Sequence, residues 1–487
     1  MENVFDKNFE KNVNDIIDQN HDDMIKKLRE LIAIRSVVED AAGDKPFGEG
    51  VHEAFMYMKG LAEHEGFEFK NVSNYGGHIE FASENADDDT EIFGILGHID
   101  VVPEGADWDY EPYAATVEGD LLYGRGAIDD KGPTIAAFYA MKALKDAGFK
   151  PNKKIRLILG LDEETNWYGM TEYFKHEPAP AAGFTPDAEF PAIHAEMGIL
   201  IFELAKKLNS QTEKKLEITS LSGGNAPNMV ADHARAVLRE CGKGKDPAQS
   251  YDYIKAVLAN YRKETGYSIH CKGMGKSLEI TAEGISAHGA RPASGLNAIS
   301  ILMEFLGRLD IGNDGMNDFI NFYNKYIGFE LDGESLGCGF SDEVSGKLIL
   351  NAGMLNADSK SVSLTINVRY PVSCTSEEVY DAIWGTVEAL DIGIVRGKEQ
   401  LPIYFEENHP MIKTCMEIYQ KYSGDTTTKP LVIGGGTYAR ATENVIAFGP
   451  SFPGEREVAH QKNEFVNLKK LKTATKIYAE TIARLSI

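Results

Sequence analysis

The chain has 487 residues, and 50 Lys plus Arg against 75 Asp plus Glu give it a formal charge of −25. Hydrophobic residues make up 43% and charged residues 26%, an ordinary globular composition that excludes disorder and collagen-like repeats. So acidic a chain, without a Lys/Arg-rich run, is expected to repel a phosphate backbone and an anionic lipid surface, so neither nucleic acid nor membrane is an expected partner.

A single core stops growing at about 250–300 residues, so two domains are expected. Cys241, Cys271, Cys338, Cys374 and Cys415 are odd in number and widely spaced, with no C-x-x-C. They read as free, buried thiols in a reducing compartment and not as a disulfide framework or a thiolate zinc site. The opening MENVFDKNFE has neither the basic start nor the apolar stretch of a secretory signal. No apolar run reaches the roughly 18 residues of a membrane span. A cytoplasmic chain is the expectation.

In chain order, residues 9–34 carry apolar side chains at helical spacing and predict one amphipathic helix. EIFGILGHID, 91–100, predicts a buried strand with His98 and Asp100 at its carboxyl end. PTIAAFYAMKALKDA, 133–147, predicts a helix, with Pro133 suited to the first turn and Gly148 to the stop. KKIRLILGLDEE, 153–164, predicts a second buried strand that ends in acids. Strand–helix–strand order implies an α/β layer with parallel strands, whose sites gather at the strands' carboxyl ends.

From about residue 199 the pattern alternates. Residues 199–208, 276–285, 347–355 and 361–372 predict half-exposed antiparallel strands, with helices near 246–264, 295–309 and 315–326. After about 400 the α/β pattern resumes, with helices near 409–422 and 467–485. The fold class expected is α/β: a discontinuous domain (1–198 and 400–487) with a mainly parallel sheet flanked by helices, and an inserted α+β domain (199–399) with an antiparallel sheet. ENADDDTE, 84–91, reads as a solvated acidic loop.

The chemistry is concentrated in His98 and Asp100, in Asp129 of GRGAIDDKGP, in Glu163 and Glu164, in Asp187, and in His460 of EVAHQKNEF. Imidazoles and carboxylates without thiolates suit zinc, manganese or cobalt. Two cations about 3.5–4 Å apart need a handful of side chains, one of them bridging, and His98, Asp129, Glu164, Asp187 and His460 are the candidates. Alternate strand residues share a face, so Asp100 is placed to fix the His98 tautomer. Of the adjacent pair Glu163 and Glu164, one suits a ligand and the other a general base. Singly, each residue reads as a cap or a solvated surface group; it is their joint placement at strand ends that points to metal.

The run GHIDVVPEGADWDYEPYAATVEGDLLYGRGAIDDKGP resembles the metallopeptidases of family M20, and within it the bacterial dipeptidases of the PepV, carnosinase-like type. LGLDEETNWYGM, GFTPDAEFP, GNAPNMVADHA, GISAHGARP, INVRYP, GGGTYAR and REVAHQKNEF extend the resemblance over 94–465. It implies that His98 and Asp187 hold one cation, that Glu164 and His460 hold the other, and that Asp129 bridges them. By the same analogy Glu163 is the general base, Asp100 the orienting acid, and the Asp129–Asp130 peptide cis. The inserted domain is implied to act as a lid. His288 would donate to the developing oxyanion, Asn228 would add a polar contact, and Arg369 would grip the substrate carboxylate, joined by Gly435 and Gly436 of the glycine triplet.

The expected activity is therefore hydrolysis of dipeptides by water activated at two divalent ions, zinc by default and manganese or cobalt as alternatives. Small peptides are the expected partners, and a monomer is favoured over a dimer. The rival readings are an N-acyl amino acid deacylase or deacetylase of the same family, and an inactive, metal-free homologue that binds peptides.

Overall fold

A computed structural model describes residues 5–208, 216–240, 247–309, 311 and 314–487. The chain divides into two compact units. One comprises 1–194, 405–431 and 436–487; the other comprises 195–404 and 432–435.

The first unit is built on a sheet whose strands Ile92–His98 and Lys154–Gly160 are buried at every position. Unbroken apolar runs of this kind are what a strand covered on both faces requires. Lys154–Gly160, Ile92–His98, Ala182–Thr185 and Val445–Ala447 lie side by side and parallel. Gly76–Phe81 and Glu68–Val72 extend the sheet antiparallel from Lys154–Gly160. The expected mainly parallel sheet is thus present where the candidate residues emerge. The helix Lys131–Asp146 packs on Leu468–Leu485 and on the Ile92–His98 strand, and every residue from Lys131 through Met141 is buried.

The single helix expected over 9–34 is two helices, Lys7–Gln19 and His21–Ile32. Asn20 between them sits at φ −89°, ψ 2°, and both its backbone N–H and its side-chain Nδ2 donate to the Ile16 carbonyl, at 3.0 and 2.9 Å. Asparagine competes with the helix for its own carbonyls in this way. The buried stripe Val13, Ile17, Met24 and Leu28 keeps its spacing across the break, so the periodicity reads as one element.

The second unit holds an eight-stranded sheet. Its order is Ser268–Met274, Ser277–Glu283, His233–Glu240, Leu216–Gly223, Ile349–Ala357, Ser361–Tyr370, Gly198–Lys207, Gly393–Gln400, and every pairing is antiparallel. Strands His233–Glu240 and Ser277–Glu283 bury alternate residues, as a sheet with one covered face requires. That face is packed by helices including Ala298–Leu306 and Asp314–Tyr326, around a core of its own with Ile280, Ile299, Leu302 and Phe319. Ser376–Val387 carries a capping box between Thr375 and Glu378.

Among the described residues no helix is long and apolar enough to cross a membrane. Cys338 and Cys415 are buried as expected, whereas Cys271 and Cys374 are only half-buried; all four are free, and Cys241 lies outside the described residues.

Candidate metal centre

Two neighbouring strands of the first unit end at the same level, and Ala182–Thr185, on the other side of Ile92–His98, ends opposite Leu96. His98 is the last residue of Ile92–His98 and pairs with Gly160, the last of Lys154–Gly160. Asp100, Glu163, Glu164 and Asp187 lie just past these ends, and Asp129 lies just before the helix Lys131–Asp146. His460 comes from the far end of the chain, in a left-handed backbone conformation (φ 61°) that a non-glycine residue adopts at a cost of about 1–3 kcal/mol.

All five expected ligands converge. His98 Nε2 lies 3.0 Å from Asp129 Oδ1 and 3.6 Å from Asp187 Oδ2. His460 Nε2 lies 3.0 Å from Asp129 Oδ2 and 3.1 Å from Glu164 Oε1. The two oxygens of Asp129 therefore face different imidazoles. Glu163 belongs to the same cluster: one donor atom each from His98, Glu163 and Asp187 falls within 4.8 Å of the others, as do atoms of His98, Asp129 and Glu164. The Asp129–Asp130 peptide is cis.

Asp100 does more than the sequence suggested. His98 Nδ1 lies 3.0 Å from the Asp100 backbone carbonyl and 3.4 Å from Asp100 Oδ1, and the Asp100 carboxylate oxygens also accept from the backbone N–H groups of Glu163 and Glu164, both at 3.1 Å. The residue thus fixes the His98 ring and the adjoining acid pair together. Trp167 Nε1 donates to the Glu163 carbonyl at 2.6 Å, and its ring meets that of Tyr438 edge-on, which in turn meets His98. Asp130 Oδ2 accepts from the His98 N–H at 3.2 Å and from Thr134. The sequence assigned no role to Trp167, Tyr438 or the Asp130 side chain. Their motifs were visible, but Tyr438 reaches His98 and Trp167, and Asp130 reaches the His98 N–H, only once distant segments meet.

The electrostatics are those of a site rich in negative charge. Burial opposes the charge on His98, but Asp100, Asp129 and Asp187 outweigh it and raise its pKa well above the ordinary value. Burial likewise opposes charge on His460, and Asp129 and Glu164 raise it to about 11. Burial, reinforced by neighbouring carboxylates, pushes Glu163, Glu164 and Asp187 up. Asp129 goes the other way: burial is overcome by the two imidazoles, which hold it well below the carboxylate range. Two imidazoles do not balance Asp100, Asp129, Glu163, Glu164 and Asp187, and an all-N/O donor set with this deficit of positive charge suits divalent cations.

In the second unit, Asn228 and His288 are exposed and lie on neighbouring segments. Met229 forms an antiparallel bridge with His288, and the Gly289 N–H donates to the Asn228 carbonyl at 2.7 Å. Asn351 Nδ2 donates to the carbonyls of Pro227 and Met229, on either side of Asn228. Arg369 is buried, and its Nε donates to Asn367 Oδ1 at 3.1 Å. Gly434 packs beside it, where a Cβ would stand 3.6 Å from Arg369 Cγ. Gly435 belongs to the same unit, and Gly436 to the first.

Residues 94–484 match the model of peptidase family M20/M25/M40. A Staphylococcus aureus protein (strain bovine RF122 / ET3-1) that bears a provisional dipeptidase name is 37% identical over 477 residues, covering 97% of this chain and 98% of its own. Human carnosine dipeptidase 1 has a similar fold, with a TM-score of 0.57 at 14% identity over 98% of each chain. So has the aminoacylhistidine dipeptidase of Vibrio alginolyticus, with a TM-score of 0.55 at 14% identity over 95% of this chain and 96% of its own.

Proposed function

The chain belongs to peptidase family M20/M25/M40, and from that premise we propose that it is a dipeptidase that uses two divalent cations. His98 and Asp187 would hold one ion and Glu164 and His460 the other, with Asp129 shared. The observation that carries this reading is the position of Asp129, with one oxygen 3.0 Å from each imidazole. Ions held there would polarise a carbonyl and lower the pKa of a bound water to about 7. Zinc is the default, and the donor set accepts manganese or cobalt as well.

The chain's own residues supply the proton transfers. Glu163 takes a proton from the attacking water and delivers it to the leaving amine. Its backbone is fixed from both sides, by Asp100 at the N–H and Trp167 at the carbonyl. Asp100 also keeps Nδ1 of His98 engaged, which leaves Nε2 toward Asp129 and Asp187. For the second unit we assign His288 to the developing oxyanion, Arg369 to the substrate carboxylate, and Asn228, Gly435 and Gly436 to polar contacts with substrate. That unit is assigned as the lid. A guanidinium matches a carboxylate bidentately, which suits Arg369 to this task.

The dipeptidase name of a relative 37% identical over nearly the whole chain favours dipeptides over acylated amino acids. Four free thiols among the described residues are consistent with a reducing, cytoplasmic setting. The protein is taken to act there as a monomer. The test is a panel of dipeptides assayed with free and with acetylated amino ends. Turnover of the free dipeptides supports the proposal, and turnover confined to the acetylated compounds overturns it.

A further inference from the structure

Glu464 is fully buried and lies four residues beyond His460, in the same terminal segment. Its Oε1 accepts from the backbone N–H groups of Ile128 at 3.0 Å and Asp129 at 3.3 Å. Its Oε2 pairs with Arg125 Nη1 at 2.6 Å, and its backbone carbonyl accepts from the Gly124 N–H at 2.9 Å. Arg125 is itself only 2% exposed, donates its own N–H to the Pro112 carbonyl, and lies over the Trp108 ring. One side chain thus ties the segment that carries Asp129 to the segment that carries His460.

We propose that Glu464, locked by Arg125, is the positioning residue that holds Asp129 and His460 in register for cation binding. The inference rests on the cation-site reading above. Asp129 has to present one oxygen to each imidazole, so a small shift of its backbone spoils both sides at once. The brace acts on that backbone directly, through the N–H of Asp129 and of the residue before it. The chemistry requires a carboxylate. A glutamine of the same shape carries one oxygen and one NH2, and either way round its NH2 meets a donor: the Arg125 guanidinium or the two backbone N–H groups.

The test is a Co2+ titration of chelator-stripped full-length protein against a competing chelator, well below the melting temperature. It compares the unaltered chain, Glu464→Gln and Arg125→Lys, with the melting temperature of each metal-free protein as a second readout. Outer groups that orient ligands are worth about 10–100-fold in metal affinity, and a rise of that size in the Co2+ dissociation constant is expected for Glu464→Gln. Arg125→Lys keeps the charge, loses the planar fork, and is expected to fall between the two. A purely structural pair would lower the metal-free melting temperature and leave the dissociation constant unmoved, and that result overturns the inference. Should Glu464→Gln fail to fold, Arg125→Lys decides alone: weaker Co2+ binding supports the brace, and unchanged binding overturns it. If the unaltered chain bound no Co2+, the cation-site reading would fall first, and the brace with it.

Discussion

Glu163 and Glu164 are adjacent, yet they meet different partners. Glu164 Oε1 meets His460, whereas Glu163 shares a cluster with His98 and Asp187. Removing a general base costs about 10²–10⁴-fold, so Glu163→Ala is expected to keep its cations and lose turnover by that factor. Elemental analysis beside a rate measurement checks both halves, and full activity would remove Glu163 from the base role. His288→Ala is expected to lower kcat by about 10²–10³, the loss of one oxyanion donor, with cation content unchanged. An unaltered kcat would take His288 out of the site. At this scale His98, Asp129, Glu164 and Asp187 were legible because each sits beside the end of a strand or helix, whereas His460, in a turn before Phe465–Asn467, stood out only through the joint pattern and the family resemblance. Glu464 gave no such signal, since its partners Arg125, Ile128 and Asp129 lie more than 300 positions away.

The strand ends determine what the cluster can be. Gly160 closes its strand beside His98, and a Cβ there would come within 2.2–2.5 Å of the Tyr438 ring. Tyr438 is fully buried and meets both His98 and Trp167, so its retreat would disturb both neighbours. Gly160→Ala is therefore expected to cost about 1–3 kcal/mol, the usual price of overpacking a core. Denaturant unfolding measures it, and a variant as stable as the unaltered chain would show that Tyr438 relaxes freely. Strand and helix types were readable because burial on two faces, burial on one face and helical amphipathicity each leave a distinct period. The break at Asn20 was not, because the apolar stripe runs through it unchanged and only one side-chain hydrogen bond marks the interruption.

For the whole molecule, two separate cores make two units, and the chain passes between them more often than its hydropathy suggests. The return of 432–435 to the second unit, which ends within the glycine triplet, is too short for any composition shift to register. For the proposed activity the first unit has to gather residues from 98 to 460 around a pair of cations. The most direct measurement is dipeptide turnover followed as a chelator-stripped sample is reloaded with a counted divalent cation. Activity is expected to be absent at the start and to reach its plateau at two ions per chain. Full turnover in the stripped protein, or a plateau at a single ion, would contradict it.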